Sequence, residues 1–296
     1  MVGPERVVGQ WCPIVRRIPL LFLWTSVPVL SGALPRADPA LQARLQRSMD
    51  GLGLESLVAG RKLSVSLLDL SDPDEERYAS VNDRQIMYAA SLPKLGILLG
   101  AFQAIHDGLL GRTSAVDASL TRMIRQSSNS DASRIIQLLG YDFIARTLSS
   151  ARYRLYDPEA EGGMWVGKSY GPSGLRSHVE FWRPEPISGE WHATNSLQVT
   201  RFFWLLSRGD LVGRRDCDSM KRILSQSNGP EYFAHRLRLE GVRTIYRKSG
   251  VFGDIYCDAA LVEHQHKRYV AVAMVNDASG PAILTKLIRE LNYLIM

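Results

Sequence analysis

The chain has 296 residues, 45% hydrophobic and 22% charged, with a net charge of +6. That balance places it with ordinary globular proteins, long enough for one large domain or two interlocked subdomains. The positive charge is spread along the chain; it permits an anionic substrate and excludes a nucleic-acid surface, which needs a basic stripe.

Residues 1–33 read as an export signal. Arg6, Arg16 and Arg17 form a basic start, Ile18 to Leu30 an apolar stretch, and Ser31-Gly32-Ala33 a small-residue cleavage site. An uncleaved anchor is the alternative, though the apolar run is short for a membrane span. After cleavage no stable membrane insertion is expected, and the protein would be periplasmic or extracellular. Cleavage removes Cys12 and leaves Cys217 and Cys257, which could pair or could be packed thiols.

Leu34 to Pro39 is a linker, and Leu41 to Leu57 has the apolar spacing of a helix. Leu63 to Leu67 alternates as a half-buried strand, and Asp72-Pro73-Asp74-Glu75 turns the chain into a second strand near Tyr78 to Val81. The apolar run Leu95 to Ile105 predicts a helix from Ser91 to about His106. Asp117 is placed to cap the next helix, whose buried side is Leu120, Met123 and Ile124. Ser127-Ser128-Asn129 interrupts as a polar corner before a helix through Ile135, Ile136 and Leu139, which stops at Gly140.

Residues 152–193 are irregular, punctuated by glycine and proline, with Trp165, Trp182 and Trp191 between. So long a loop is usually functional or mobile; its aromatic residues could wall a pocket or pack the loop onto the body. Helical spacing resumes over Ser196 to Leu206 and Asp218 to Leu224. Val242 to Lys248, Ile255 to Val262 and Tyr269 to Val275 read as strands, the last apolar on both faces as a central strand is. Ile283 to Ile295 closes the chain as an amphipathic helix. Strands at both ends with helices between predict an α+β fold over 34–296. A mainly antiparallel sheet subdomain (about 41–90 and 241–296), flanked by helices, would carry a helical insert (about 91–240), with a site between the two.

Ser91-Leu92-Pro93-Lys94 puts a hydroxyl and an amine one turn apart at a helix start, where partial positive charge favours an anion. A serine hydroxyl needs a base, and a desolvated lysine can be one. Ser127-Ser128-Asn129 can be turn chemistry. Lys248-Ser249-Gly250, at the end of its strand, could hold a substrate carboxylate, with glycine letting substrate lie along the backbone. Glu263 to Lys267, with His264 and His266, reads as a solvated hairpin turn; no metal and no cofactor are expected.

In this order the three motifs resemble the serine β-lactamase and penicillin-binding protein superfamily, whose signature is Ser-x-x-Lys, Ser-Asp-Asn and Lys-Thr/Ser-Gly. Tyr88-Ala89-Ala90 before Ser91 and Asp258-Ala259-Ala260-Leu261-Val262 after Lys248-Ser249-Gly250 are similar to class A enzymes. The resemblance spans Leu41 to Met296. It implies Ser91 as acylated nucleophile, Lys94 as its proton acceptor, and Ser127 as proton donor to the leaving nitrogen. Lys248 would hold that serine and the substrate carboxylate, with Ser249 on the carboxylate as well. Asn129 would bind the substrate amide and help place Lys94, and Gly250 would let substrate approach. The N–H groups of Ser91 and Val251 would form the oxyanion hole. A β-lactam or peptide-like small molecule bearing a carboxylate is the implied substrate, on a monomeric protein.

Three departures stand out. Ser128 replaces the aspartate of the middle motif, which should weaken that corner's hydrogen bonding. The interval from Lys94 to Ser127 is shorter than in class A enzymes. The Glu-x-x-Leu-Asn of the class A Ω-loop is absent, with Arg183 where the deacylating glutamate is expected. Glu180, Glu185, Glu190 and His192 are the substitutes available as the deacylating base.

Overall fold

The computed structural model describes residues 34–157, 159, 162–171 and 183–295. Residues 1–33, read above as an export signal, and Glu180 lie outside these. Asp38 caps the first helix, α1 (Pro39–Gly51), accepting from the Leu41 N–H at 2.6 Å. Gly53 then takes φ +68°, and a short α2 (Glu55–Ala59) follows, so the single helix expected here is two. β1 (Leu63–Asp69) and β2 (Arg77–Val81) form the expected antiparallel hairpin, and β3 (Met87–Tyr88) leads to Ser91.

The helical stretch comprises α3 (Lys94–His106), α4 (Ser114–Arg125), α5 (Asn129–Leu139) and α6 (Tyr141–Ser149). Thr113, not Asp117, caps α4, its hydroxyl accepting from the Val116 N–H; Asp117 lies inside the first turn. Within the region read as irregular lie β4 (Tyr156–Asp157), β5 (Gly162–Gly163), β6 (Trp165–Val166) and β7 (His192–Thr194). Strand β4 pairs with β5, while β3 and β6 flank β7. Then come α7 (Ser196–Arg208), α8 (Arg214–Leu224), α9 (Tyr232–Leu239), β8 (Thr244–Phe252), β9 (Ile255–His264), β10 (Lys267–Asn276) and α10 (Gly280–Leu294).

The main sheet is antiparallel in the order β2-β1-β10-β9-β8, drawing strands from both chain ends. β10 is central, as its two apolar faces require. Val270, Val272 and Met274 enter one core with α3 and α7, while Ala271, Ala273 and Val275 enter another with α1 and α10. Both faces being covered, β1 is buried throughout rather than half-buried. Its serines are satisfied internally, with Ser64 and Ser66 hydroxyls each 2.7 Å from that of Ser196.

Two features position the site. Helix α3 is apolar on every side and buried along nearly its whole length, which carries Lys94 at its first turn into the interior. Strand β8 is a sheet edge, and Lys248-Ser249-Gly250 lies within it rather than at its end. A fully buried ion pair braces that edge: Arg247 Nη2 lies 2.7 Å from Asp258 Oδ2, which also accepts the Phe233 N–H of α9. Cys217 and Cys257 are free and buried; burial raises the Cys217 thiol to about 11, as befits a packed thiol. Among the described residues no helix is long and apolar enough to cross a membrane.

Candidate active site

The chain reaches Ser91 through Ala90, a non-glycine residue at φ +46°, and Ser127 is likewise held at φ +55°. Each such conformation costs about 1–2 kcal/mol. Ser127 contacts the Lys94 amine directly, and Ala90 immediately precedes Ser91, which also does. Lys94 Nζ is 3.1 Å from Ser91 Oγ, 2.6 Å from the Ser127 carbonyl, 2.7 Å from Asn129 Oδ1 and 3.4 Å from Ser127 Oγ. A neutral amine has two protons and one lone pair. The Ser127 carbonyl and Asn129 Oδ1 can take the two protons, which leaves the lone pair for the Ser91 hydroxyl.

Burial alone lowers Lys94 to about 7. Repulsion between the two lysines enters only as a secondary cause at Lys248. Lys248 is wholly buried and driven well below its ordinary range, first by desolvation, then by Lys94 and Arg247. Its Nζ lies 2.9 Å from Ser127 Oγ, so the Ser127 hydroxyl connects the two amines. Ser91 and Ser127 are half-buried and Asn129 and Val251 exposed, so hydroxyls and amide face outward while both lysines stay dry.

Gly250 has no room for a side chain. A Cβ there would sit 2.8 Å from the Ser91 nitrogen and 2.7 Å from the Ala89 carbonyl. The β8 backbone therefore lies directly against the Ser91 N–H, with Val251 next in line, as an oxyanion site between those residues would need. Ser249 differs from expectation. Its hydroxyl is buried beside Gly229 and has no hydrogen-bond partner among the described residues. It is an unfilled donor under the site rather than an open contact.

The Ser128 corner is not weakened. Ser128 caps α5, its hydroxyl donating to Asp131 Oδ2 at 2.7 Å and accepting from the Asp131 N–H. Arg122 grips the same carboxylate at 2.9 and 2.5 Å and holds Asp131 at about 2. A carboxylate three residues later thus does the tying that the motif's aspartate would do.

Glu185 and His192 are not free to act on Ser91. Glu185 is fully buried; Oε2 accepts from the Ile187 N–H and from the Ser188 N–H and hydroxyl, and Oε1 from Tyr156 at 2.7 Å. It folds the loop. Glu185→Ala is expected to destabilise the protein by about 2–3 kcal/mol, since partners of a buried carboxylate are left unpaired. Ser91 acylation should stay within about threefold of wild type; urea unfolding beside a labelling time course reads both. Glu190 contributes its carbonyl to the Glu185 N–H, while burial and then the Glu190 carboxylate raise the Tyr88 phenol, so that carboxylate stays a candidate; Arg183 pairs with exposed Asp142 at 2.7 Å. Trp165 packs on Tyr156 and donates to the Arg183 carbonyl, so this aromatic serves loop packing.

His192 is buried, and desolvation, then Lys168 and Lys94, lowers it to about 3, too weak for a base at neutral pH. Its ring instead lies flat on Tyr170, centroids 3.9 Å apart, and the Tyr170 ring centroid is 4.5 Å from Lys94 Nζ. Sequence reasoning missed Tyr170; its only signal was its place in the irregular loop.

The family described as "Beta-lactamase enzyme family" matches residues 111–295, which include the Ser127 corner and Lys248-Ser249-Gly250. Ser91 and Lys94 precede that match, so their place in the site rests on geometry. No curated protein matches the sequence. Among solved structures, a β-lactamase from Sphaerobacter thermophilus DSM 20745 superposes with TM-score 0.62 at 14% identity, covering 84% of this chain and 95% of that one. PBP-A superposes with TM-score 0.60 at 20% identity, over 88% of this chain and 98% of that one. A representative class A β-lactamase from Bacteroides cellulosilyticus DSM 14838 gives TM-score 0.61 at 15% identity, over 88% and 99%. At these identities the likenesses establish the fold. With a family match over most of its length and that fold, the chain belongs to the β-lactamase enzyme family.

Proposed function

We propose that the protein is an exported serine hydrolase that opens a β-lactam, or a peptide-like amide bearing a carboxylate, through an acyl-enzyme on Ser91. Ser91 Oγ bonds to the substrate carbonyl carbon as its proton passes to Lys94. The carbon–nitrogen bond then breaks, and the nitrogen takes a proton from Ser127, which Lys248 supports and which regains one from Lys94 3.4 Å away, returning that amine to its neutral form. Water releases the acyl group and restores the serine. The observation that carries this reading is the convergence of Lys94 on the Ser91 hydroxyl at 3.1 Å with Ser127 bridging to Lys248 at 2.9 Å. Export rests on residues 1–33, and a monomer acting on a small molecule is the simplest form.

A second reading, a penicillin-binding module that acylates and releases slowly, is favoured by the engagement of Glu185 in its own loop. The purified protein, with Ser91→Ala as blank, is mixed with a labelled penicillin and a chromogenic cephalosporin. Steady colour supports the hydrolase; one equivalent of lasting label without colour supports the binding module. Absence of both in the folded wild type removes the β-lactam readings and leaves only the peptide-like amide as substrate.

A further inference from the structure

We infer that Tyr170, held flat against His192, is a positioning residue that keeps Lys94 ready as a base by closing off its water-facing side. This depends on the reading of Lys94 as the proton acceptor. Lys94 receives polar partners from three directions: Ser91 at its own helix start, and Ser127 and Asn129 at the α4–α5 corner. Lys248 faces it across the Ser127 hydroxyl. The remaining approach is covered by the Tyr170 ring, with its centroid 4.5 Å from Nζ. Among the described residues no carboxylate hydrogen-bonds this amine.

The ring is fixed at three points. Its face stacks on His192 at 3.9 Å and 6°. Its hydroxyl, kept protonated by burial, donates to the Ala90 carbonyl at 3.2 Å, beside the nucleophile. Its backbone N–H donates to the Ser133 hydroxyl at 2.9 Å, and that hydroxyl donates to the Tyr170 carbonyl at 2.6 Å. His192 is itself anchored where its carbonyl accepts the Ala89 N–H at 2.7 Å, in the β3–β7 pairing. The lid therefore closes on the strands that deliver Ser91.

Two effects of the ring oppose each other. Its π face attracts an ammonium, worth about five- to thirty-fold in the protonation equilibrium. Its bulk excludes water from one side of an amine that burial as a whole lowers from 10.5 to about 7, a change of more than a thousandfold. Exclusion wins, so opening the lid should raise the affinity of Lys94 for its proton.

The test follows Lys94 directly. The chain has seven lysines, so protein labelled with ¹³C at lysine Cε gives few signals, and Lys94 is assigned by its loss in Lys94→Met. In Tyr170→Ala the Lys94 titration midpoint is expected to rise by at least about one pH unit, while in Tyr170→Phe, which keeps the ring, it stays near wild type. His192→Ala, which removes the backing of the ring and spares Tyr170, should move the midpoint the same way; it decides the matter if Tyr170→Ala does not fold. An unmoved midpoint in the folded variants overturns the inference, as does Tyr170→Phe shifting as far as Tyr170→Ala. Because this readout needs no substrate, a protein that passes it and is never acylated would sink the proposed function instead.

Discussion

Replacing Lys94 with methionine is expected to slow labelling of Ser91 by a penicillin about 10²- to 10⁴-fold, the range for loss of a positioned proton acceptor. Methionine keeps the length and apolar stem, so the helix start is preserved and the amine alone is lost. The pH profile separates a base from a prop. Lys94 accepts a proton only when neutral, and burial brings its midpoint to about 7. Wild-type acylation should therefore rise about tenfold per pH unit below 7 and level off above it. Lys94→Met should be slow and flat over the same range. A variant as fast as wild type, or one that keeps the rise near 7, would show that another group takes the proton. Stopped-flow acylation from pH 5.5 to 9, with circular dichroism to verify folding, gives both numbers.

The site was legible in sequence where chemistry and chain punctuation coincide. Ser91, Lys94, Ser127, Asn129 and Lys248 were readable because each lies at an element start, a corner or a strand next to a glycine. The structure brings Ser91, Ser127 and Asn129 within 3.4 Å of Lys94 Nζ, and Lys248 to 2.9 Å of Ser127 Oγ. The fold's outline was equally readable, because the double-faced apolar pattern of Tyr269–Val275 can only be a covered central strand. What stayed hidden is what burial decides. An alternating Leu63–Leu67 looks half-exposed until Ser196 supplies internal partners for Ser64 and Ser66. A glutamate in an irregular loop looks available until Ser188 and Tyr156 occupy it. Tyr170 carries no local signal, since its neighbours His192 and Lys94 lie 22 and 76 positions away in sequence. Ser128 read as a loss because its compensation, Asp131 held by Arg122, depends on how two helices meet.

A buried neutral lysine leaves a mark on stability as well as on rate. With unfolding followed in urea, wild type is expected to gain stability relative to Lys94→Met by about 1.4 kcal/mol per pH unit between pH 7.5 and 9.5. The sign follows from proton counting. In that interval the unfolded chain holds a proton on Lys94, whose ordinary value is 10.5, while the folded protein, at about 7, does not. Stability rises with pH wherever the unfolded state binds more protons. The penalty is absent above 10.5, grows as pH falls, and is complete below about 7, where it reaches about 4–5 kcal/mol. Lys248, lowered first by desolvation, steepens the rise in both proteins, and that part cancels in the difference; its repulsion from Lys94 is present only where Lys94 is charged, at the low-pH end. Parallel stability curves for the two proteins would mean that Lys94 is charged in the folded state. It could not then receive the Ser91 proton, and the acylation chemistry would need a different base. A diverging pair would establish that the Lys94 amine is held neutral at a cost in stability to the fold.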